Sequence, residues 1–315
     1  MTIDEKLTAI RDVIQFDIGE RGLARDPERN LINACPDVFA NACRSIGEHP
    51  APSVAIITGF YIITADPPCG ETDGPLGALY FARAFRSLRI ASSIVTDPFC
   101  NKSLRIGCDH SSMTDLEVWS IPQQAEDREH FFSLDWPAIA EWQKLTHLIA
   151  IERVGPAQDD RCYTMRGRDI SDFMSPAHLL IENAARRKPG FTTIGIGDGG
   201  NEIGMGKIPR DVIAKNIDNG EKIACRVATD HLIVAGISNW GAYALAAGVA
   251  ILRGQKLDDS LFDAERERKL LQLMVEHGPL VDGKTGQRTA TVDGVAFEEY
   301  FKPLARIRQI MLSTE

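Results

Sequence analysis

No apolar run in this 315-residue chain reaches the length of a transmembrane helix, which argues against a membrane-spanning protein. The first residues, Met1 to Arg11, mix acids and bases and lack the apolar core of a secretion signal. Cysteine pairs are missing as well. Cys35, Cys43, Cys69, Cys100, Cys108, Cys162 and Cys225 are scattered, odd in number and without a C-x-x-C pair. That pattern excludes zinc-finger spacing and fits reduced thiols in a cytoplasmic protein. Positive charge is also short: 35 Lys and Arg stand against 44 Asp and Glu, a net charge of -9. A nucleic-acid or anionic-membrane partner is therefore not expected. An anionic metabolite remains open, since a few local Arg residues or a metal suffice for it. Repeats, low-complexity tracts and linkers are absent.

What the chain does have is an alternation of short apolar runs with helical patterns. Strands are expected at Val54–Ile57, Ala91–Val95, Leu116–Ser120, Leu148–Ile151, Ile194–Ile196, Ile223–Val227 and Leu232–Ala235. Helices are expected near 75–88, 137–144, 176–187 and 239–253. This predicts an α/β fold over residues 1–315, a mostly parallel sheet flanked by helices, with helical additions at residues 1–47 and 261–315. In such sheets ligands bind beyond the carboxyl ends of strands. The rule gathers the loops after Ile57, Val95, Ile151 and Ile196 on one rim.

The most informative loop runs from Gly195 to Gly206, GIGDGGNEIGMG, half of it glycine, with Asp198 and Glu202 inside it. Glycine loses the most backbone entropy on ordering, so a loop this rich in it serves close approach or unusual backbone angles. It formally matches G-x-G-x-x-G, but the two acids would face a pyrophosphate and no helix follows at once. A P-loop fails too, because Lys207 precedes Ile208. No nucleotide cofactor is expected. A small polar ligand or a cation fits better.

The loop after Ile57 is long and ends in Glu71-Thr72-Asp73-Gly74-Pro75. Thr72 or Asp73 would suit the N-cap of the following helix, with Pro75 in its first turn. Cys69 reads as a half-buried thiol. Arg153, Arg166 and Arg168 are guanidinium groups that could fork onto carboxylates or simply stay solvated. Ser238 or Asn239 would cap the next helix. That helix is so rich in small residues that it packs in the core or in a subunit contact, which leaves a homo-oligomer open. His231 is a general-base or a structural residue. Val281-Asp282-Gly283-Lys284-Thr285-Gly286 reads as a turn-rich surface loop.

Taken in order, Thr58-Gly59-Phe60, Glu71 to Pro75, Ile151-Glu152-Arg153, Met165-Arg166-Gly167, Gly195 to Gly206 and Asp230 to Gly241 resemble the D-glutamate cyclase family, in its C-terminal catalytic-type domain. The resemblance runs from about residue 8 to the end. One departure is Thr164, where the pattern has Asn before Met-Arg-Gly. The resemblance implies conversion of D-glutamate to 5-oxo-D-proline with loss of water, and a small amino-acid substrate. It also implies Asp198, Glu202 and Asp73 as catalytic acids that could hold Mg²⁺ or Mn²⁺. Gly59, Arg153, Arg166, Gly197, Gly199, Gly200, Asn201 and Asn239 follow as substrate-binding candidates. Arg153 or Arg166 would clamp the α-carboxylate, and main-chain N–H groups of the glycine loop would meet an oxyanion. A divalent-metal-dependent phosphatase and a non-catalytic metabolite-binding protein are the alternatives.

Overall fold

The computed structural model describes residues 1–36, 38–184 and 190–313. Strand β1 (Ser53–Thr58) leads into a two-stranded antiparallel ribbon, β2 (Tyr61–Ile62) and β3 (Cys69–Gly70). The remaining strands are β4 (Ala91–Thr96), β5 (Val118–Ser120), β6 (His147–Ile151), β7 (Thr192–Gly197) and β8 (His231–Val234). Six of them form one parallel sheet in the order β5-β4-β1-β6-β7-β8. β1 and β6 are buried along their whole length, as expected of parallel strands covered on both faces.

The helices are α1 (Ile3–Ile14), α2 (Val38–Gly47), α3 (Pro75–Ser87), α4 (Pro98–His110), α5 (Ala125–His130) and α6 (Trp136–Trp142), followed by α7 (His178–Ala184), α8 (Arg210–Asn216) and α9 (Gly220–Ile223). α10 (Ser238–Leu252), α11 (Ala264–Glu276) and α12 (Phe297–Leu312) complete the set. One face of the sheet packs against a layer containing Leu7, Phe39, Leu79, Trp240, Leu271 and Ile307, so both chain ends share that face. The other face packs against Leu31, Trp136, Leu180 and Ile213. Small residues let α10 sit buried from Ser238 to Ala250, against α2 and α3 within this chain. All seven cysteines are free thiols, and Cys69 is buried with its pKa raised by burial. Among the described residues no helix is long and apolar enough to cross a membrane.

Several expectations change. Ile223–Val227 is not a strand. Ile223 closes α9, and the chain after it bonds to the glycine loop: Cys225 N donates to Gly200 O, and Gly204 N and Gly206 N both donate to Val227 O. The terminal regions are helical only in part. Residues 15–36 are turns and bends, and an irregular stretch separates α11 from α12. Residue 37, residues 185–187 of the predicted 176–187 helix and residues 314–315 lie outside the described residues. The turn at 281–286 is exposed at Lys284, but Asp282 is fully buried and accepts from Thr285 N, Thr291 Oγ1 and Gly294 N.

The order of the strands positions the site. From β1 the chain winds outward through β4 to β5, then returns to β6 on the other side of β1. The switch point therefore lies between β1 and β6, where open α/β sheets leave a crevice for ligands.

Candidate active site

At that crevice β1 ends in Thr58 and β6 ends in Ile151, paired with each other, and the next residues are Gly59 and Glu152. Glu152 has φ 43, a left-handed conformation that costs a residue with a Cβ about 1–3 kcal/mol. Strain of this kind persists where the surroundings hold it, most often at functional sites. The two neighbours have different fates. Glu152 lines a cavity, whereas Arg153 does not.

The cavity measures about 400 Å³. Its buried end carries Glu71, Glu152, Asp198 and Asp293, with Arg21 reaching between the last two. Its exposed lining carries Arg166, Arg168 and Lys284 together with Glu20 and Asp218. Phe60, Ile62, Ile63 and Met165 give it an apolar side. The buried lining is thus acidic apart from Arg21, and the exposed lining mixes three cations with two acids.

Arg21 Nη1 lies 2.5 Å from Asp198 Oδ2 and Nη2 lies 2.8 Å from Asp293 Oδ2. The turn carrying Arg21 is fixed by Asp17, whose carboxylate accepts from the main-chain N–H groups of Arg21, Gly22 and Leu23. Burial alone would lower the Arg21 pKa, but Asp198, Asp293 and Glu152 more than offset it and carry it upward.

The carboxyls are pushed the other way. Burial, then the neighbouring Asp293 and Asp73, raise Glu71 well above the usual carboxylate range. Burial and Asp198 do the same for Glu152, whose Oε2 accepts a 2.5 Å hydrogen bond from Ser238 Oγ. Burial raises Asp198 too, although Arg21 opposes it. Asp73 is pushed up to about 7 by burial and Asp293, against the N–H groups of Asn239 and Ser238 and the charge of Arg21. Carboxyls raised by burial give and take protons closer to physiological pH than free ones do.

Behind this surface two helices cap each other. Asp73 accepts from Ser238 N and Asn239 N, both at 2.9 Å, so it serves the N-terminus of α10. Asn239 Oδ1 accepts from Gly74 N at 2.9 Å and Gly77 N at 2.7 Å, so it serves the N-terminus of α3. The residue types are those of caps, but each caps the other's helix, not its own as the sequence suggested. Ser238 N also donates to Asp198 Oδ2 at 3.2 Å. The positive end of α10 thereby partly compensates two acids at once.

In the glycine loop, Glu202 turns back on its own backbone. Its Oε1 accepts from Asp198 N at 3.1 Å and its Oε2 from Gly200 N at 2.7 Å. A Cβ at Gly197 would come within 3.0 Å of the Glu202 side chain and one at Gly199 within 2.9 Å, so these glycines make room for it. Gly200 has φ 96, which glycine adopts without strain. The expectation that loop N–H groups face an oxyanion is corrected to this extent: those of Asp198 and Gly200 are already committed to Glu202. Asn201 Nδ2 donates to Tyr163 O, tying the loop to the 163–168 segment.

Of the predicted residues, Asp198 and Arg166 line the cavity. Asp73, Glu202, Gly59, Gly197, Gly199, Gly200, Asn201 and Asn239 stand behind it and hold its walls. Arg153 as a substrate clamp is also corrected. Its guanidinium is fully buried against Asp97 and donates to Gly59 O at 3.0 Å and Ser175 O at 2.6 Å. His231 opens β8, at the amino end of the sheet and away from this rim, with its pKa lowered by burial. Arg21, Glu71, Glu152 and Asp293 were not among the predicted site residues. Gly19 and Gly22 around Arg21, and the Asp293-Gly294 turn, are helix-breaking signals that pointed away from continuous helix at both chain ends.

The carboxylates form two groups whose ligand atoms lie within 4.8 Å of one another: Asp73, Asp198 and Asp293, and Glu152, Asp198 and Glu202. Asp73 and Glu202 thus fall in different groups that share Asp198. Both offer only hard oxygen donors, as Mg²⁺ or Mn²⁺ prefers. Arg21 engages two acids of the first group and only the shared Asp198 of the second, which leaves the second as the better fit for an ion.

Comparison with known proteins identifies the family. Residues 10–308 match the family model described as D-glutamate cyclase-like, C-terminal. The chain is 29% identical over 322 residues to the human mitochondrial D-glutamate cyclase, covering 94% of this chain and 50% of that protein. The chain thus spans about half the length of this curated relative.

Proposed function

The chain belongs to the D-glutamate cyclase-like family, and from that premise we propose that it cyclises D-glutamate to 5-oxo-D-proline with release of water. The observation that carries the reading is the charge pattern of the cavity, with buried carboxyls around Arg21 and, in the exposed lining, Arg166, Arg168 and Lys284 beside Glu20 and Asp218. A dicarboxylic amino acid has matching polarity. Its ammonium and the carboxyl to be attacked enter the acidic end, and its α-carboxylate stays with the cations at the mouth.

The reaction needs a neutral amine, a protonated leaving group and a fixed geometry. Asp198 takes one proton from the ammonium and passes it to the side-chain carboxylate, and the freed amine attacks that carboxyl carbon. A C–N bond forms and a C–O bond breaks. Glu152, held by Ser238, gives a proton to the departing hydroxyl and takes the second proton of the former ammonium. The two protons lost by the ammonium leave in water, so the enzyme ends as it began. Because the attack is intramolecular, holding amine and carboxyl together supplies much of the rate. Asp73 and Glu202 fix the walls through α10 and the glycine loop.

A divalent cation held by Glu152, Asp198 and Glu202 would act as a Lewis acid toward a carboxyl or phosphoryl oxygen. Those oxygen-only groups favour, as a second reading, a metal-dependent phosphatase. Incubation with D-glutamate, L-glutamate and small phosphate monoesters, with and without Mn²⁺, separates the readings. Chirally resolved 5-oxoproline from D-glutamate is expected. Phosphate release without oxoproline would replace the first reading by the second.

A further inference from the structure

Resting on that reading, we infer that Arg21 is the oxyanion-binding catalytic residue of the cyclisation. Attack of the amine leaves a negative oxygen at the acidic end of the cavity, where repulsion by the surrounding carboxylates is most severe. Some donor must meet it there. The glycine-loop N–H groups of Asp198 and Gly200 are committed to Glu202. Arg166, Arg168 and Lys284 are at the exposed mouth, and Arg153 is sealed against Asp97. Among the described cations lining the cavity, Arg21 is the one that contacts buried carboxylates.

Its geometry suits the task. A guanidinium carries five N–H donors, and the two contacts to Asp198 and Asp293 leave donors to spare. Its side chain keeps 18% of its surface exposed, and it lines the cavity. Asp17 and the two acids hold it from behind, so little reorganisation accompanies the reaction. Collapse of the intermediate expels the hydroxyl with a proton from Glu152, and the oxygen bound by Arg21 becomes the lactam carbonyl.

The test uses Arg21→Ala and Arg21→Lys in the full chain, with kcat and KM for D-glutamate and circular dichroism to follow folding. Arg21→Ala is expected to lower kcat by about a hundred- to a thousand-fold, the usual cost of an oxyanion donor, with KM within a few-fold. Low millimolar guanidinium ion should restore part of that kcat, and Arg21→Lys should fall between. The lysine variant also covers the case in which the alanine variant does not fold. A loss confined to KM, a kcat within three-fold of wild type, or a folded alanine variant indifferent to guanidinium would overturn the assignment alone. If the wild-type protein does not turn over D-glutamate, the cyclase reading falls and the assignment with it.

Discussion

Two buried charge assemblies stand side by side on the same rim and differ in balance. In the first, Asp97 after β4 and Arg153 after β6 neutralise each other, and Ser175 N, Ser175 O and Gly59 O take up further hydrogen-bonding groups. No part of it faces the cavity. In the second, Glu71, Asp73, Glu152, Asp198 and Asp293 share Arg21. That surplus of acid is unfavourable for folding, since buried carboxyls must keep protons or repel one another. A closed pair ties strands together, whereas an unbalanced cluster on a cavity retains reactive groups at the expense of stability.

The largest expected effect comes from Asp198→Asn, which keeps shape and removes a charge. Oxoproline formation from D-glutamate should fall about a hundred- to ten-thousand-fold while circular dichroism stays native. Near-normal turnover in the folded variant would remove Asp198 from the catalytic list and weaken the contrast.

Arg153→Met should do the reverse and act on stability. Leaving Asp97 buried without its partner is expected to cost about 3–5 kcal/mol, read as a lower denaturant midpoint. If the loss is below about 1 kcal/mol, or activity disappears at unchanged stability, Arg153 belongs with the reacting groups after all.

The pH dependence of stability sharpens the same division. Asp73 keeps its proton to about pH 7 in the folded chain and loses it near 4 when unfolded. The folded state therefore binds more protons between those values, and stability falls as pH rises from about 4 to about 7. The slope is at most about 1.4 kcal/mol per pH unit for this one group. Asp73→Asn should flatten the decline, measured by urea unfolding across that range. An unchanged slope would mean that Asp73 is ionised in the fold.

The smallest effect concerns a cation. Mn²⁺ is expected to raise Tm by a few degrees through Glu152, Asp198 and Glu202, and Glu202→Gln should abolish the rise. A rise that survives this change would place the ion elsewhere.

The sequence alone determined the class of fold and the rim that carries the site. Buried parallel strands need near-continuous apolar runs, and β1, β4, β6, β7 and β8 all left that trace. The glycine loop was equally legible, because that much glycine beside Asp198 and Glu202 has a close-approach purpose that local sequence reveals. The caps at Asp73 and Asn239 were legible as types, but not as the exchange between α3 and α10, since a capping oxygen serves whichever helix end the fold brings to it. Tertiary structure alone decided which acids face the cavity. Arg21 and Asp293 come from opposite ends of the chain, out of stretches whose apolar spacing suggested helix, and only the fold brings them together at Asp198. Glu152 and Arg153 are adjacent in sequence, yet one lines the cavity and the other is sealed beneath it. Side-chain direction after a strand depends on the backbone angle at that one residue, and no local pattern encodes it.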